Sequence, residues 1–216
     1  MRRLPRIELP QRVTDALGEY QRELDRAVKA ERKKKRPATR EIIDAAWNAR
    51  LPNKALKAVR MALNAMASGR EHCMYCEGSR AEDIEHFRPK ASHPERAFDW
   101  LNLLKICPGC NRQKNDAFNA RLLDPTVDDP LDHLLLSLRT GRYVAREESP
   151  RGRVTLRILR RLASDQVLVR GRRDAFLKLG TFLRDYHSLR DAGRDAEARL
   201  IRRCVVREPF SAVFAA

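Results

Sequence analysis

Apolar residues Val13, Leu17, Tyr20, Leu24 and Val28 recur at three- and four-residue spacing, the period of one helix face, and predict a helix over about residues 11–33. A basic run at residues 32–36 and Pro37 end it, and residues 28–40 are the best linker candidate. Thr39 can cap a second helix that runs through Trp47 and stops before Pro52. Asn53 can cap a third, with Leu56, Val59, Leu63 and Met66 on one face, ending near Gly69. The period then changes. Residues 84–90 alternate as a strand does and stop at Pro89, and residues 100–106 read as a second, apolar strand. A helix starts at Asn111. Further on, residues 134–138 and 143–145 flank Thr140-Gly141 and predict a hairpin. From Thr155 the spacing of Leu156, Leu159 and Leu162, then of Val167, Phe176, Leu179 and Leu183, is helical again, and a last helix covers about residues 196–206. The expected class is α+β: a helical region at 1–69, a strand–strand–helix core at 70–125, and a mainly helical region with a hairpin at 126–216. No internal repeat is visible.

The core carries the chemistry. Two C-x-x-C pairs, Cys73/Cys76 and Cys107/Cys110, frame it. A two-residue gap lets both sulfurs of a pair turn toward one ion, so two pairs predict a structural zinc site. Pro108-Gly109, inside the second pair, suits a tight knuckle turn. A ββα unit of about 40 residues is too small to hold itself together without such a staple. Zinc sites of this kind supply about 10–16 kcal/mol of apparent binding energy. No strand–helix pattern around either pair supports a redox role. The fifth cysteine, Cys204, sits in an Arg-rich apolar stretch and reads as a buried or idle thiol. Between the pairs lies Asp83-Ile-Glu-His86, and Asn111 follows the second pair directly. Carboxylate, imidazole and amide together suit an open, oxygen-rich metal site.

These residues resemble the HNH endonuclease family in its zinc-stabilised form. The resemblance rests on Cys73, Cys76, Glu85-His86, Asn102, Cys107, Cys110 and Asn111, in the order the family uses, and is specific over residues 70–120. The strings Cys76-Glu77, Glu85-His86-Phe87-Arg88-Pro89-Lys90 and Trp100-Leu-Asn-Leu-Leu are similar to one branch, the HNH proteins of retrons and of Septu-type antiphage systems. The resemblance implies a ββα-metal fold and a metal-dependent nuclease acting on DNA, with RNA the less favoured substrate. It implies that His86 is the general base that takes a proton from the attacking water. Glu85 and Asn111 would bind the catalytic cation, Mg²⁺ or Mn²⁺. Asn102 would hydrogen-bond backbone across the hairpin and keep the His86 ring aimed. It also implies a defence complex with an ABC/SMC-like ATPase partner, in the retron case alongside a reverse transcriptase. Two departures stand out: Glu85 replaces the more common Asp, and the motif ends in Asn111 instead of His. Both are compatible with oxygen ligation of a hard cation.

Other residues leave two readings open. Asp83 shares a strand face with Glu85 and joins the metal shell or pairs with a base. Arg88, Lys90 and Lys114 meet substrate phosphates or are solvated charges. An unperturbed imidazole titrates near neutrality, which suits a base at cellular pH. His72, His93, His133 and His187 are expected in structural or surface roles.

Charge sharpens the picture. The chain has a net charge of +16, and the excess is uneven. Residues 1–70 hold 18 basic and 8 acidic residues and residues 126–216 hold 19 and 12, whereas residues 71–125 hold 8 and 9. Acidic groups that collect a cation, flanked by basic regions, suit a polyanionic substrate. No apolar run approaches the ~20 residues of a membrane span. The start of the chain carries no apolar signal segment, and cysteines assigned to metal suit a reducing cytoplasm. A zinc-stabilised nucleic-acid-binding or adaptor protein without turnover is the alternative that these features allow.

Overall fold

The structure is a computed structural model that describes residues 1–33, 40–67, 71–78, 80–207 and 210. Helix α1 spans Gln11–Lys33, α2 Arg40–Asn48 and α3 Lys54–Met66. Their apolar stripes face inward as the periodicity predicts: Val13, Leu17, Leu24 and Val28 from α1, Ile43 and Trp47 from α2, and Leu56, Val59 and Leu63 from α3 are buried. The linker expectation differs from the structure at its start, where α1 remains helical to Lys33. Residues 34–39, including the capping role assigned to Thr39, and Gly69 lie outside the described residues. Asn53 stands at the α3 N-cap but makes no side-chain cap bond. Its Nδ2 instead donates to the Tyr20 hydroxyl at 3.2 Å, tying α3 to α1.

Next in the chain come strands β1 (Asp83–His86) and β2 (Leu103–Ile106), paired antiparallel with Asp83 opposite Ile106 and His86 opposite Leu103. Both are shorter than the sequence pattern suggests. Beyond His86 the chain leaves the ladder because Pro89 cannot donate to it, and residues Trp100–Asn102 form a 3₁₀ turn whose first donor is capped by Asp99. Helix α4 (Pro108–Lys114) begins inside the second cysteine pair, three residues earlier than expected. Pro108-Gly109 is therefore its first turn and not a free knuckle: proline at the first helical position loses no hydrogen bond. The predicted C-terminal hairpin forms as β3 (Leu134–Ser137) and β4 (Arg142–Ala145). Gly141 (φ +71°) makes the turn, where an added Cβ would lie 2.2 Å from the Val169 carbonyl oxygen. Helices α5 (Pro150–Ile158), α6 (Arg161–Ser164), α7 (Gln166–Asp191) and α8 (Asp195–Arg207) complete the chain. Ser149 caps α5 by accepting from the Gly152 N–H at 3.0 Å, which sets its start ahead of Thr155.

The fold is α+β, with two small antiparallel sheets among helices. One apolar core runs through it: Leu24 and Val59 of the first helices, Met74, Tyr75, Leu104 and Ile106 around the hairpin, and Leu159, Leu162 and Leu168 of the last region belong to the same cluster. Among the described residues no helix is long and apolar enough to cross a membrane.

Candidate functional site

The two cysteine pairs meet. Sγ atoms of Cys73, Cys76, Cys107 and Cys110 all lie within 4.8 Å of one another, and all four residues are buried. Cys76 and Cys107 sulfurs are 3.7 Å apart, close to the edge of about 3.8 Å expected for a tetrahedron with Zn–S bonds of about 2.3 Å. The cluster fits a structural metal such as zinc. Packed together, the thiols cannot ionise independently: contact with Cys110 drives the Cys107 thiol far below its ordinary range, while contact with Cys107 drives Cys110 far above it. A bound cation relieves this conflict by favouring thiolate at every position. Backbone and side-chain donors already address the sulfurs. The Cys110 N–H reaches Cys107 Sγ at 3.4 Å, and Arg161 Nη1 reaches the same sulfur at 3.4 Å. The Met74 N–H donates to the Lys105 carbonyl at 2.9 Å, fastening the first knuckle to β2. His72 is buried but is not one of the converging ligands, and Cys204 is exposed on α8, contrary to a buried thiol.

On the other side of α4, a cleft of about 320 Å³ is lined by Glu85, His86 and Asn111, together with Arg40, Trp47, Asn48, Lys90 and Asp116. β1 supplies Glu85 and His86, and α4 supplies Asn111. The cysteine cluster anchors α4 against the hairpin, so the closed centre sets the geometry of the open cleft.

His86 is 4% exposed. Its Nε2 lies 2.8 Å from the Ala97 carbonyl oxygen. A carbonyl only accepts, so Nε2 carries the proton and Nδ1 is left with the lone pair. Burial lowers the pKa to about 3, against which the Ala97 hydrogen bond works only in part. The imidazole is therefore neutral throughout the physiological range, in contrast to the near-neutral titration expected from sequence. Trp47 fixes the ring from the other side, edge to face at a centroid distance of 4.5 Å.

Asn102 is 1% exposed and spends its amide on backbone. Its Nδ2 donates to the carbonyls of Arg88 and Arg96 at 3.0 and 2.9 Å, and its Oδ1 accepts from the Arg88 N–H at 2.8 Å. These bonds tie the chain after β1 to the segment before β2, and the Ala97 carbonyl that holds His86 follows Arg96 directly.

Asn111 Nδ2 donates to Asp83 Oδ2 at 2.9 Å, which uses the amide nitrogen on a carboxylate and leaves the amide oxygen as the group suited to a cation. Glu85 meets an internal partner: Lys114 Nζ lies 2.7 Å from its Oε1 and 2.7 Å from the His86 carbonyl oxygen. Burial pushes the Glu85 carboxyl above its ordinary range, and the Lys114 charge opposes this. Lys114 is 0% exposed, so its ammonium points into the protein and braces β1 instead of facing a phosphate. Asp83, Glu85 and His86 do not converge as the cysteines do; among the described residues, the four sulfurs are the group of three or more acidic, His or Cys ligands that meets at one point. Arg88 lies 5.4 Å over the Phe118 ring, and Lys90 is paired with Asp44 at 2.8 Å. His93 bonds Glu95 at 3.2 Å and His133 bonds Ser149 at 3.0 Å, and His187 is exposed.

Sequence reasoning did not single out Trp47, Arg40 or Asp116. They come from segments outside the motif, and Trp47 shows in the pattern only as another apolar helix position.

No protein-family model matches the chain. Over 108 residues it is 31% identical to the Septu protein PtuB of Bacillus thuringiensis, a stretch that makes up 47% of this chain. The chain spans 40% of the length of that relative, to which it is thus similar in part.

Proposed function

We propose that this protein is a metal-dependent endonuclease of the HNH type, acting on DNA in preference to RNA, and the effector nuclease of a Septu-like antiphage defence complex. The observation that carries the reading is the cleft in which a neutral imidazole with a defined tautomer faces the same cavity as a carboxylate and an amide. A binding module has no need to fix a histidine ring through its Nε2–H and leave the Nδ1 lone pair uncommitted beside a carboxylate and an amide.

In this reading His86 Nδ1 takes the proton from the attacking water. The Ala97 carbonyl and the Trp47 ring hold the imidazole in place, and Asn102 holds the loop that supplies Ala97. Glu85 and Asn111 would hold Mg²⁺ or Mn²⁺, with Asp83 orienting the Asn111 amide. When bound, such a cation supplies neutralisation of the charge that develops on the phosphate and the leaving oxygen. Lys114 fixes the Glu85 carboxylate from behind. The role of zinc is to hold α4 on the hairpin. Similarity to a Septu protein supports the defence role. The ATPase partner of this reading would dock on the α7–α8 pair, where Leu177, Leu183 and Leu200 are exposed.

Plasmid cleavage with Mg²⁺ or Mn²⁺ tests the reading. Wild type is expected to nick or cut, and His86→Ala is expected to fall by about 10²–10⁴-fold with folding intact, the usual worth of a positioned general base. Equal DNA binding by both proteins with cutting by neither would favour the zinc-stabilised adaptor instead.

A further inference from the structure

Helix α2 brings Arg40 and Asp44 to the cleft, where with Lys90 and Asp116 they form a chain of alternating sign. Arg40 Nη1 lies 2.5 Å from Asp116 Oδ2, and Arg40 Nε lies 3.5 Å from Asp44 Oδ2. Asp44 Oδ1 in turn lies 2.8 Å from Lys90 Nζ. Arg40, Lys90 and Asp116 line the same cleft as Glu85, His86 and Asn111. Two cations thus stand at the mouth of the cavity, each held by a carboxylate that comes from outside the cysteine-framed motif or from just past α4.

The pairs are easily exchanged. Side chains of Arg40, Asp44 and Asp116 are 58%, 36% and 43% exposed and that of Lys90 is 22% exposed, and ion pairs open to solvent are weak. A phosphodiester offers the same acceptor geometry as a carboxylate, and arginine binds either in a bidentate fork. Holding the two cations on a shared Asp44 also keeps them ordered beside the cleft, which lowers the ordering cost when a ligand replaces the carboxylates.

We propose that Arg40 and Lys90 form a phosphate-binding clamp at the mouth of the cleft, gripping a backbone phosphate beside the one to be cut, and that Asp44 and Asp116 are resident counter-anions displaced as nucleic acid enters. The proposal rests on the nucleic-acid reading of the cleft and deepens it. It assigns Arg40, outside the motif, to the substrate, and gives Lys90 a regulated version of its role. Because freeing both cations means displacing two carboxylates, the clamp favours a continuous polyanion over a single small anion.

Binding of a short fluorescein-labelled DNA duplex, followed by anisotropy without added Mg²⁺ or Mn²⁺, tests this on the full chain. Asp44→Asn combined with Asp116→Asn is expected to tighten binding about three- to tenfold, as three weak ion pairs no longer compete with phosphate. Arg40→Gln and Lys90→Gln are each expected to weaken it and to reduce the log–log salt slope by about one. The loss on Arg40→Gln is expected to be larger in the Asp44→Asn/Asp116→Asn background than in wild type, a coupling that a purely structural pair would not show. Circular dichroism and zinc content monitor folding of each variant. Unchanged affinity and salt slope in Arg40→Gln and Lys90→Gln would overturn the clamp, as would absence of binding in both wild type and Asp44→Asn/Asp116→Asn. Cleavage is read separately. If the binding shifts appear and no protein cuts DNA, the clamp stands and the nuclease reading falls; if His86→Ala abolishes cutting while the clamp variants bind like wild type, the reverse holds.

Discussion

Lys114 shows how much a single side chain can depend on its surroundings. It is fully buried, with its ammonium shared between the Glu85 carboxylate and the His86 carbonyl. Lys114→Met would leave Glu85 without its hydrogen-bonded cation in a site that burial already makes unfavourable for charge. We expect a loss of about 3–5 kcal/mol, the cost of breaking a buried pair from one side. Adding Glu85→Gln to Lys114→Met is expected to restore most of it, because the stranded charge is then gone. Urea unfolding of the two variants checks this, and an equal loss in both would show that packing of the lysine stem dominates. From sequence, Lys114 reads as a basic residue on a short helix and a candidate for phosphate. Nothing local distinguishes a lysine that points inward, since its direction follows from α4 docking on β1. That Glu85, His86 and Asn111 line one cleft was legible because motif order reflects a compact strand–turn–helix unit.

Helices and strands were most legible where period decides. The α1 stripe from Val13 to Val28 is long enough to fix both ends of the helix within a turn. The two core strands were overestimated because alternation continues into residues 87–90 and 100–102, which proline and the Asp99 cap turn away from the ladder. What joins these short elements is the sulfur cluster. A four-residue hairpin pair and a seven-residue helix bury too little apolar surface to be stable alone. Adding a zinc chelator, or replacing Cys110 by Ser, is therefore expected to melt β1, β2 and α4 and to lower Tm by more than about 10 °C. Differential scanning calorimetry with and without chelator measures it, and an unchanged Tm would mean that neighbouring helices alone hold the unit. Helix α2 was predicted as an element, but its position over the cleft was not, because residues far apart in sequence meet there: Trp47 with His86, and Arg40 with Asp116.

The core does not divide where the chemistry does. Buried residues of the first three helices, the cysteine-framed unit and the last helices form one cluster. Bonds cross the same borders: the Leu4 N–H donates to the Pro125 carbonyl at 2.7 Å, and the Leu123 N–H donates to Thr155 Oγ1 at 3.0 Å. Residues 70–125 expressed alone are accordingly expected to stay unfolded even with zinc, because the faces that α3 and α6 cover would be bare. A dispersed amide NMR spectrum from that fragment would contradict this. Charge follows a different division, with a near-neutral middle and basic flanks. The regions that hold the core closed are thus also the ones that carry the field for a polyanion.

The contact between Trp47 and His86 has an optical consequence. The chain has two tryptophans, and the second, Trp100, sits against Arg6 and the Ile7 carbonyl and does not line the cleft. With Trp100 replaced by Phe, the indole at 4.5 Å from the imidazole becomes a built-in fluorophore for that cavity. Its emission should change when a divalent ion or an oligonucleotide arrives, so occupancy can be followed in real time without labelling the protein, even in variants that have lost turnover.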